Sequence, residues 1–176
     1  FSILVLGGSQ GAKIFGTVIP KTIKMIKDEG YDIEINQQCV EDQKKSIIDY
    51  YNKNNIKSYV FEFDKKILNL AASSNLAITR CGASTTAELV HTLTPFIAIP
   101  LPNSIDNHQY LNAKYYESKG CCLLLEQENF DVKNLFNLIM ETLKNKNKLE
   151  NIRNNMKNNY YKNVYSNIEN EIKELI

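Results

Sequence analysis

Three short segments of this chain carry residue types and spacings that could do chemistry. The first, Gly7-Gly8-Ser9-Gln10-Gly11-Ala12, follows the apolar run Ile3 to Leu6 and precedes a stretch with Ile14, Val18, Ile19, Ile23 and Ile26 at helical spacing. Strand, glycine turn and helix in that order set backbone N–H groups and the positive end of a helix dipole where phosphate or another anion can sit. The spacing is G-G-x-x-G rather than G-x-G-x-x-G, and the next β-type run ends in Asn36-Gln37-Gln38 with no acid for a ribose hydroxyl, which disfavours NAD. Lys13 follows Gly11 without the G-K-[ST] order of a P-loop, so nucleoside triphosphate hydrolysis has no support. Tight packing of strand on helix explains such a turn equally well.

The second segment is Thr79-Arg80-Cys81-Gly82-Ala83-Ser84-Thr85-Thr86-Ala87-Glu88-Leu89, where small and hydroxyl-bearing residues open a helix after a strand. Two readings stand for it. Thr85 and Glu88 are spaced as a capping box, with Thr85 at the N-cap and Glu88 reaching back to it. A carboxylate one turn into a helix can also accept from two ribose hydroxyls while the helix N-terminus holds a diphosphate. The third segment, Pro100-Leu101-Pro102-Asn103-Ser104-Ile105-Asp106-Asn107-His108-Gln109, is long, polar and braced by proline. His108 and Gln109 offer donors and acceptors to sugar hydroxyls; alternatively Asp106 or Asn107 caps a helix and His108 is a solvated first-turn residue. No Ser-His-Asp arrangement, carboxylate pair or metal cluster stands out, so chemistry alone nominates no catalytic base.

The elements that must position these loops are legible in the apolar pattern. β-type runs near Ile3 to Leu6, Tyr31 to Asn36, Ser58 to Phe63, Leu76 to Thr79, Phe96 to Ile99 and Cys121 to Leu125 alternate with helical segments. That alternation predicts an α/β fold, a Rossmann-like doubly wound parallel sheet of about six strands, with ligands at the carboxyl ends of the strands. Pro20 is expected to kink or split the first helix, and Gly30 to end it. From Asp131 onward the chain reads as wholly helical, with Lys144-Asn145-Lys146-Asn147-Lys148 as a loop between helices. Leu149, Ile152, Met156, Tyr160, Val164, Ile168, Ile172 and Leu175 then form an apolar stripe, which either docks on this sheet or reaches toward a partner domain.

Composition bounds the function. The 176 residues are 43% apolar and 23% charged, with 21 basic and 20 acidic side chains and a net charge of +1. Neither disorder nor a nucleic-acid-binding field is expected, and the length suits one domain over residues 1–176, with C-terminal helices from about residue 131. No apolar run approaches the roughly 18 to 20 residues of a membrane span, and the first residues lack the features of a signal peptide. Cys39, Cys81, Cys121 and Cys122 show no C-x-x-C spacing, and His91 and His108 are the only histidines, which argues against a metal site or disulfide framework and for a reducing, cytoplasmic setting.

Taken together, Gly7-Gly8-Ser9-Gln10-Gly11-Ala12, Arg80 to Leu89 and Asp106-Asn107-His108-Gln109-Tyr110-Leu111-Asn112-Ala113, with Phe61-Glu62-Phe63-Asp64 between the first two, resemble the C-terminal, donor-binding domain of the MurG family. These are the peptidoglycan N-acetylglucosaminyltransferases of glycosyltransferase family 28, and the similarity runs through nearly the whole chain. The resemblance implies one half of a GT-B enzyme that moves N-acetylglucosamine from UDP-N-acetylglucosamine to the muramoyl 4-hydroxyl of lipid I, with inversion and without a metal or other cofactor. It implies that Ser9 and Gln10 approach the diphosphate and sugar, and that Ala83, Ser84 and Thr85 present helix amides and a hydroxyl to the diphosphate. Glu88 would bind the ribose, the main chain near Phe63 and Asp64 would read uracil, and His108 and Gln109 would meet the sugar hydroxyls. Arg80 and Asn112 would shape the loops.

Two residues depart from the family pattern: Asp64 stands at a place that is usually apolar, and Ser84 at one that is often leucine. A carboxylate at Asp64 close to uracil O4 would repel it. The N-terminal acceptor domain, with its expected catalytic base and membrane-facing patch, is absent from this sequence, which starts at Phe1 on a strand edge and is expected to be an excised domain that binds donor without catalysing transfer. The resemblance implies a whole protein peripheral on the cytoplasmic face of the inner membrane, with the missing domain and a lipid-linked acceptor as partners. Alternatives are the donor subunit of a related transferase with another acceptor, such as diacylglycerol or dolichol-linked substrates, and a non-catalytic nucleotide-binding module whose terminal stripe is the partner surface.

Overall fold

The computed structural model describes residues 1–8, 12–159 and 173. The elements run β1 (Ser2–Leu6), α1 (Lys13–Asp28), β2 (Glu34–Gln38), α2 (Glu41–Lys53), β3 (Lys57–Phe61), α3 (Ile67–Ser73), β4 (Leu76–Thr79) and α4 (Ala83–His91). They continue β5 (Phe96–Ala98), α5 (His108–Ser118), β6 (Cys122–Leu124), α6 (Val132–Lys144) and α7 (Lys146–Asn159), with single 3-10 turns at Ile105–Asn107 and Gln127–Asn129. All six strands lie parallel in one sheet of order β3-β2-β1-β4-β5-β6. The fold is therefore the doubly wound α/β sheet that the sequence pattern predicts, and its topological switch point falls between β1 and β4.

The two central strands explain the continuous apolar runs. Ile3, Leu4 and Val5 of β1 and Leu76, Ala77 and Ile78 of β4 are wholly buried, because helices cover both faces. Ile3 pairs with Ile35 on one side and Leu76 on the other, which fixes the register of the two halves. β2 runs Glu34–Gln38: it starts three residues later than the expected run near Tyr31 to Asn36 and ends on the Asn36-Gln37-Gln38 that closes that run. Gln37 and Gln38 pair with Val60 and Phe61, and the buried Gln37 side-chain Oε1 accepts from the Tyr51 hydroxyl at 2.5 Å. A helix thus brings a partner to the oxygen of a polar residue in a core strand, while its buried Nε2 has none among the described residues.

α1 continues through Pro20 rather than splitting there. Its face of Phe15, Val18, Ile19, Ile23 and Ile26 is buried, and that burial outweighs the helical hydrogen bond the proline cannot make. Gly30 ends the helix as expected: at φ +88° it lets its own N–H reach Lys27 O (2.8 Å) and that of Tyr31 reach Ile26 O (3.4 Å). The predicted loop over Lys144 to Lys148 shrinks to Asn145, since α7 restarts at Lys146 and Lys148 N–H already bonds to Asn145 O at 3.0 Å. Leu149, Ile152 and Met156 are buried, and Asn155 and Arg153 donate to Gly120 O and Asn75 O, so this part of the apolar stripe docks on the chain's own fold. Tyr160, Val164, Ile168, Ile172 and Leu175 lie outside the described residues.

Candidate functional site

The loops at the carboxyl ends of β4 and β5 converge on one polar frame. After β4 the chain reads Arg80, Cys81, Gly82, and α4 starts at Ala83 with Gly82 as an N-cap that has no side chain to offer. Thr86 is the first residue whose N–H turns back into the helix, to Gly82 O at 3.0 Å. The first-turn N–H groups of Ala83, Ser84 and Thr85 therefore point outward, with Ala83 and Ser84 exposed, which is a geometry that receives anions. Thr85 stands inside the helix rather than at its N-cap, so the capping box of Thr85 with Glu88 does not form. The threonine that turns back is Thr86, whose hydroxyl donates to Gly82 O and Ala83 O. Glu88 is half-buried and has no side-chain hydrogen bond or ion pair among the described residues.

The β5 loop reaches α5 through Asn103, Asp106 and Asn107 in the left-handed region, at φ +57°, +50° and +54°. Asn107 occupies the N-cap position of α5, but its side chain makes no capping bond. His108 is exposed, with Nδ1 2.7 Å from Ile105 O. Gln109 is half-buried, and its Oε1 accepts from both Cys81 N–H (3.1 Å) and Leu101 N–H (3.0 Å). Asn112, one turn on, donates to Cys81 O at 3.0 Å. One face of α5 thus holds both ends of the Cys81 peptide, and of the Gln109 amide only the nitrogen is left for a ligand. The role expected of Asn112, shaping the loop, is what its contact does.

Arg80 does the same from below. It is only 7% exposed, donates to Ile99 O and Pro100 O at 3.1 Å each and to Gln127 Oε1, and lies 5.0 Å from the Phe15 ring centre. Gln127, on the turn after β6, is a member of this frame that sequence reasoning missed; its partner lies far off in sequence, and a single glutamine after a strand gives no signal. Burial lowers the Arg80 pKa and pushes the neighbouring Cys81 thiol up to about 12, which keeps that thiol protonated and makes it no nucleophile at neutral pH.

The remaining predicted residues divide. Phe63 is 77% exposed on the β3 loop. Asp64 follows it, and its carboxylate accepts from the Lys66 N–H at 2.6 Å and the Tyr59 hydroxyl at 3.0 Å. The carboxylate that departs from the family pattern is therefore committed to holding the start of α3. Gly8, at φ +79°, stands where an added Cβ would lie 3.8 Å from Arg80 Cβ, so the glycine loop and the β4 loop abut. Ser9 and Gln10 lie outside the described residues. A hollow of about 300 Å³ opens between the β5 and β6 loops near Leu101, Tyr110 and Glu126, and none of the predicted site residues lines it. Among the described residues no group of three metal-ligating side chains occurs, and no helix is long and apolar enough to cross a membrane.

Residues 2–171 match the glycosyltransferase family 28 C-terminal domain. The chain is 40% identical over 145 residues, 82% of its length, to the UDP-N-acetylglucosamine--N-acetylmuramyl-(pentapeptide) pyrophosphoryl-undecaprenol N-acetylglucosamine transferase of Pelagibacter ubique. It is 41% identical over 152 residues, 85% of its length, to the enzyme of the same name from Rickettsia prowazekii. It spans only 40% of each of these curated relatives. Among solved structures, Acinetobacter baumannii MurG superposes with a TM-score of 0.83 at 24% identity, covering 98% of this chain and 49% of that one. A UDP-N-acetylglucosamine 2-epimerase superposes at 0.61 with 14% identity, covering 87% of this chain and 37% of that one, and at these identities both likenesses are of fold. The match over residues 2–171, with identities near 40% to the two transferases, makes this chain a member of the glycosyltransferase family 28 C-terminal domain family.

Proposed function

We propose that the chain is the donor-binding half of an inverting glycosyltransferase that carries N-acetylglucosamine from UDP-N-acetylglucosamine to lipid I, giving lipid II. The observation that carries the reading is the open N-terminus of α4, with three outward N–H groups and a free carboxylate, Glu88, one turn further on. Loss of UDP from the donor builds negative charge on the diphosphate, and a preorganised helix terminus stabilises it without a cation. Glu88 suits two neighbouring ribose hydroxyls, and Ser84 and Thr85 add hydroxyls at the diphosphate. The main chain at Phe63 and Asp64 reads the uracil edge, while His108 and the Gln109 amide nitrogen face the sugar. Ser9 and Gln10 approach the diphosphate from the glycine loop. The acceptor, the catalytic base and attachment to the cytoplasmic face of the membrane belong to a second domain.

The test is calorimetric titration of the chain with UDP-N-acetylglucosamine, UDP and NAD in metal-free buffer. Binding of both uridine ligands but not NAD is expected, together with no lipid II formed from lipid I by this chain alone. Absence of uridine-nucleotide binding would sink the donor reading, and turnover by the isolated chain would sink the division of labour between two domains.

A further inference from the structure

The buried charge of Arg80 has no carboxylate partner. Its guanidinium is held by two carbonyls, one side-chain amide and an aromatic face, and among the described residues no carboxylate pairs with it. Glu126 and Glu128 flank Gln127 in sequence, yet the residue that meets Arg80 is the neutral one between them. A buried cation ordinarily draws a counter-ion, because burial without one is unfavourable. Here the charge lies near the outward N–H groups of α4: Arg80 precedes Ala83, where that helix starts, by three residues, and its stem abuts Gly8. A partly desolvated unit charge acts over such distances with little screening.

Resting on the donor reading above, we infer that Gln127 is a positioning residue for the donor's diphosphate. It fixes the Arg80 guanidinium near the start of α4 while leaving its charge unneutralised, so that the bound diphosphate becomes its counter-ion without touching it. A carboxylate at position 127 would hold the guanidinium equally well and cancel the field. The glutamine is thus selected by charge as well as by shape.

The experiment compares Gln127→Glu with the unaltered chain for binding of uridine, UDP-N-acetylglucosamine and UDP, each variant checked by thermal melting. Gln127→Glu is expected to keep the melting temperature, to bind uridine within about two-fold of the unaltered chain, and to lose on the order of ten-fold in UDP affinity. The loss should be smaller for UDP-N-acetylglucosamine, which lacks the terminal phosphate charge. Gln127→Met, which removes the anchor and leaves the charge, should lose less UDP affinity than Gln127→Glu. Equal losses for uridine and UDP, or unchanged UDP binding, would overturn the inference while leaving the donor reading intact. If the unaltered chain binds no uridine ligand, the donor reading fails and takes this inference with it. Should Gln127→Glu not melt cooperatively, Arg80→Gln, which keeps an amide donor and drops the charge, is read in its place with the same expectations.

Discussion

Glu88 separates two roles that spacing alone leaves open. Thr85 and Glu88 fit the capping pattern, but Gly82 starts the helix, and a residue without a side chain gives no capping signal in sequence. The structure therefore removes the capping role and leaves Glu88 with a free carboxylate. Glu88→Ala is expected to weaken UDP binding by about 1 to 3 kcal/mol, the cost of leaving ribose hydroxyls unpartnered. The same substitution should move thermal stability by less than about 0.5 kcal/mol, because no native contact of the carboxylate is lost. Calorimetry with UDP, alongside a melting curve, separates these outcomes; a fall in stability with affinity unchanged would restore the capping role. Gln109 shows a different limit of sequence reading. Its residue type marks it as a sugar contact, whereas its oxygen is already taken by the N–H groups of Cys81 in the β4 loop and Leu101 in its own β5 loop.

At the scale of elements, the strands were legible because β1 and β4 are buried on both faces and carry unbroken apolar runs. What was not legible is how β2 tolerates a buried Gln37, since the partner of its side-chain oxygen, Tyr51, lies on α2. The junction of α6 and α7 was misjudged for the opposite reason: alternating lysine and asparagine reads as a solvated loop, yet Leu149, Ile152 and Met156 anchor a helix that begins one residue after α6 ends. α7 is accordingly a structural part of the domain over its described length. Met156 is wholly buried, so Met156→Ala should destabilise the chain by about 2 to 5 kcal/mol in urea unfolding. A loss below about 1 kcal/mol would mean that α7 rests only loosely on the fold.

For the whole molecule, the buried thiols and phenol set its response to alkali. Burial raises Cys81 from 9.0 to about 12, and raises Cys122 and the fully buried Tyr51 in the same direction. The folded state therefore keeps protons that the unfolded chain gives up. The stability tied to Cys81 is complete below about pH 9 and is lost progressively as pH climbs toward 12. Urea midpoints measured at about pH 8 and about pH 10.5 should fall accordingly, and Cys81→Ala should make the fall shallower. An identical pH slope in that variant would show that Cys81 ionises as freely in the folded chain as in the unfolded one.

The strand order has a consequence for how the chain is made. β1 is made before the other five strands of this sheet and lies at its centre, where its register needs Leu76 to Thr79 on one side. Phe15, on the helix that follows it, packs tilted against Phe130, near the start of α6, with ring centres 5.2 Å apart. Leu76 is made 70 residues after Leu6, and Phe130 is made 115 residues after Phe15. At typical rates of about 5 to 20 residues per second, the apolar edge of β1 waits for several seconds with no native neighbour toward β4. During that interval β1 offers an unpaired apolar edge to other nascent chains, so a lower level of expression should favour soluble product over β1-templated aggregates.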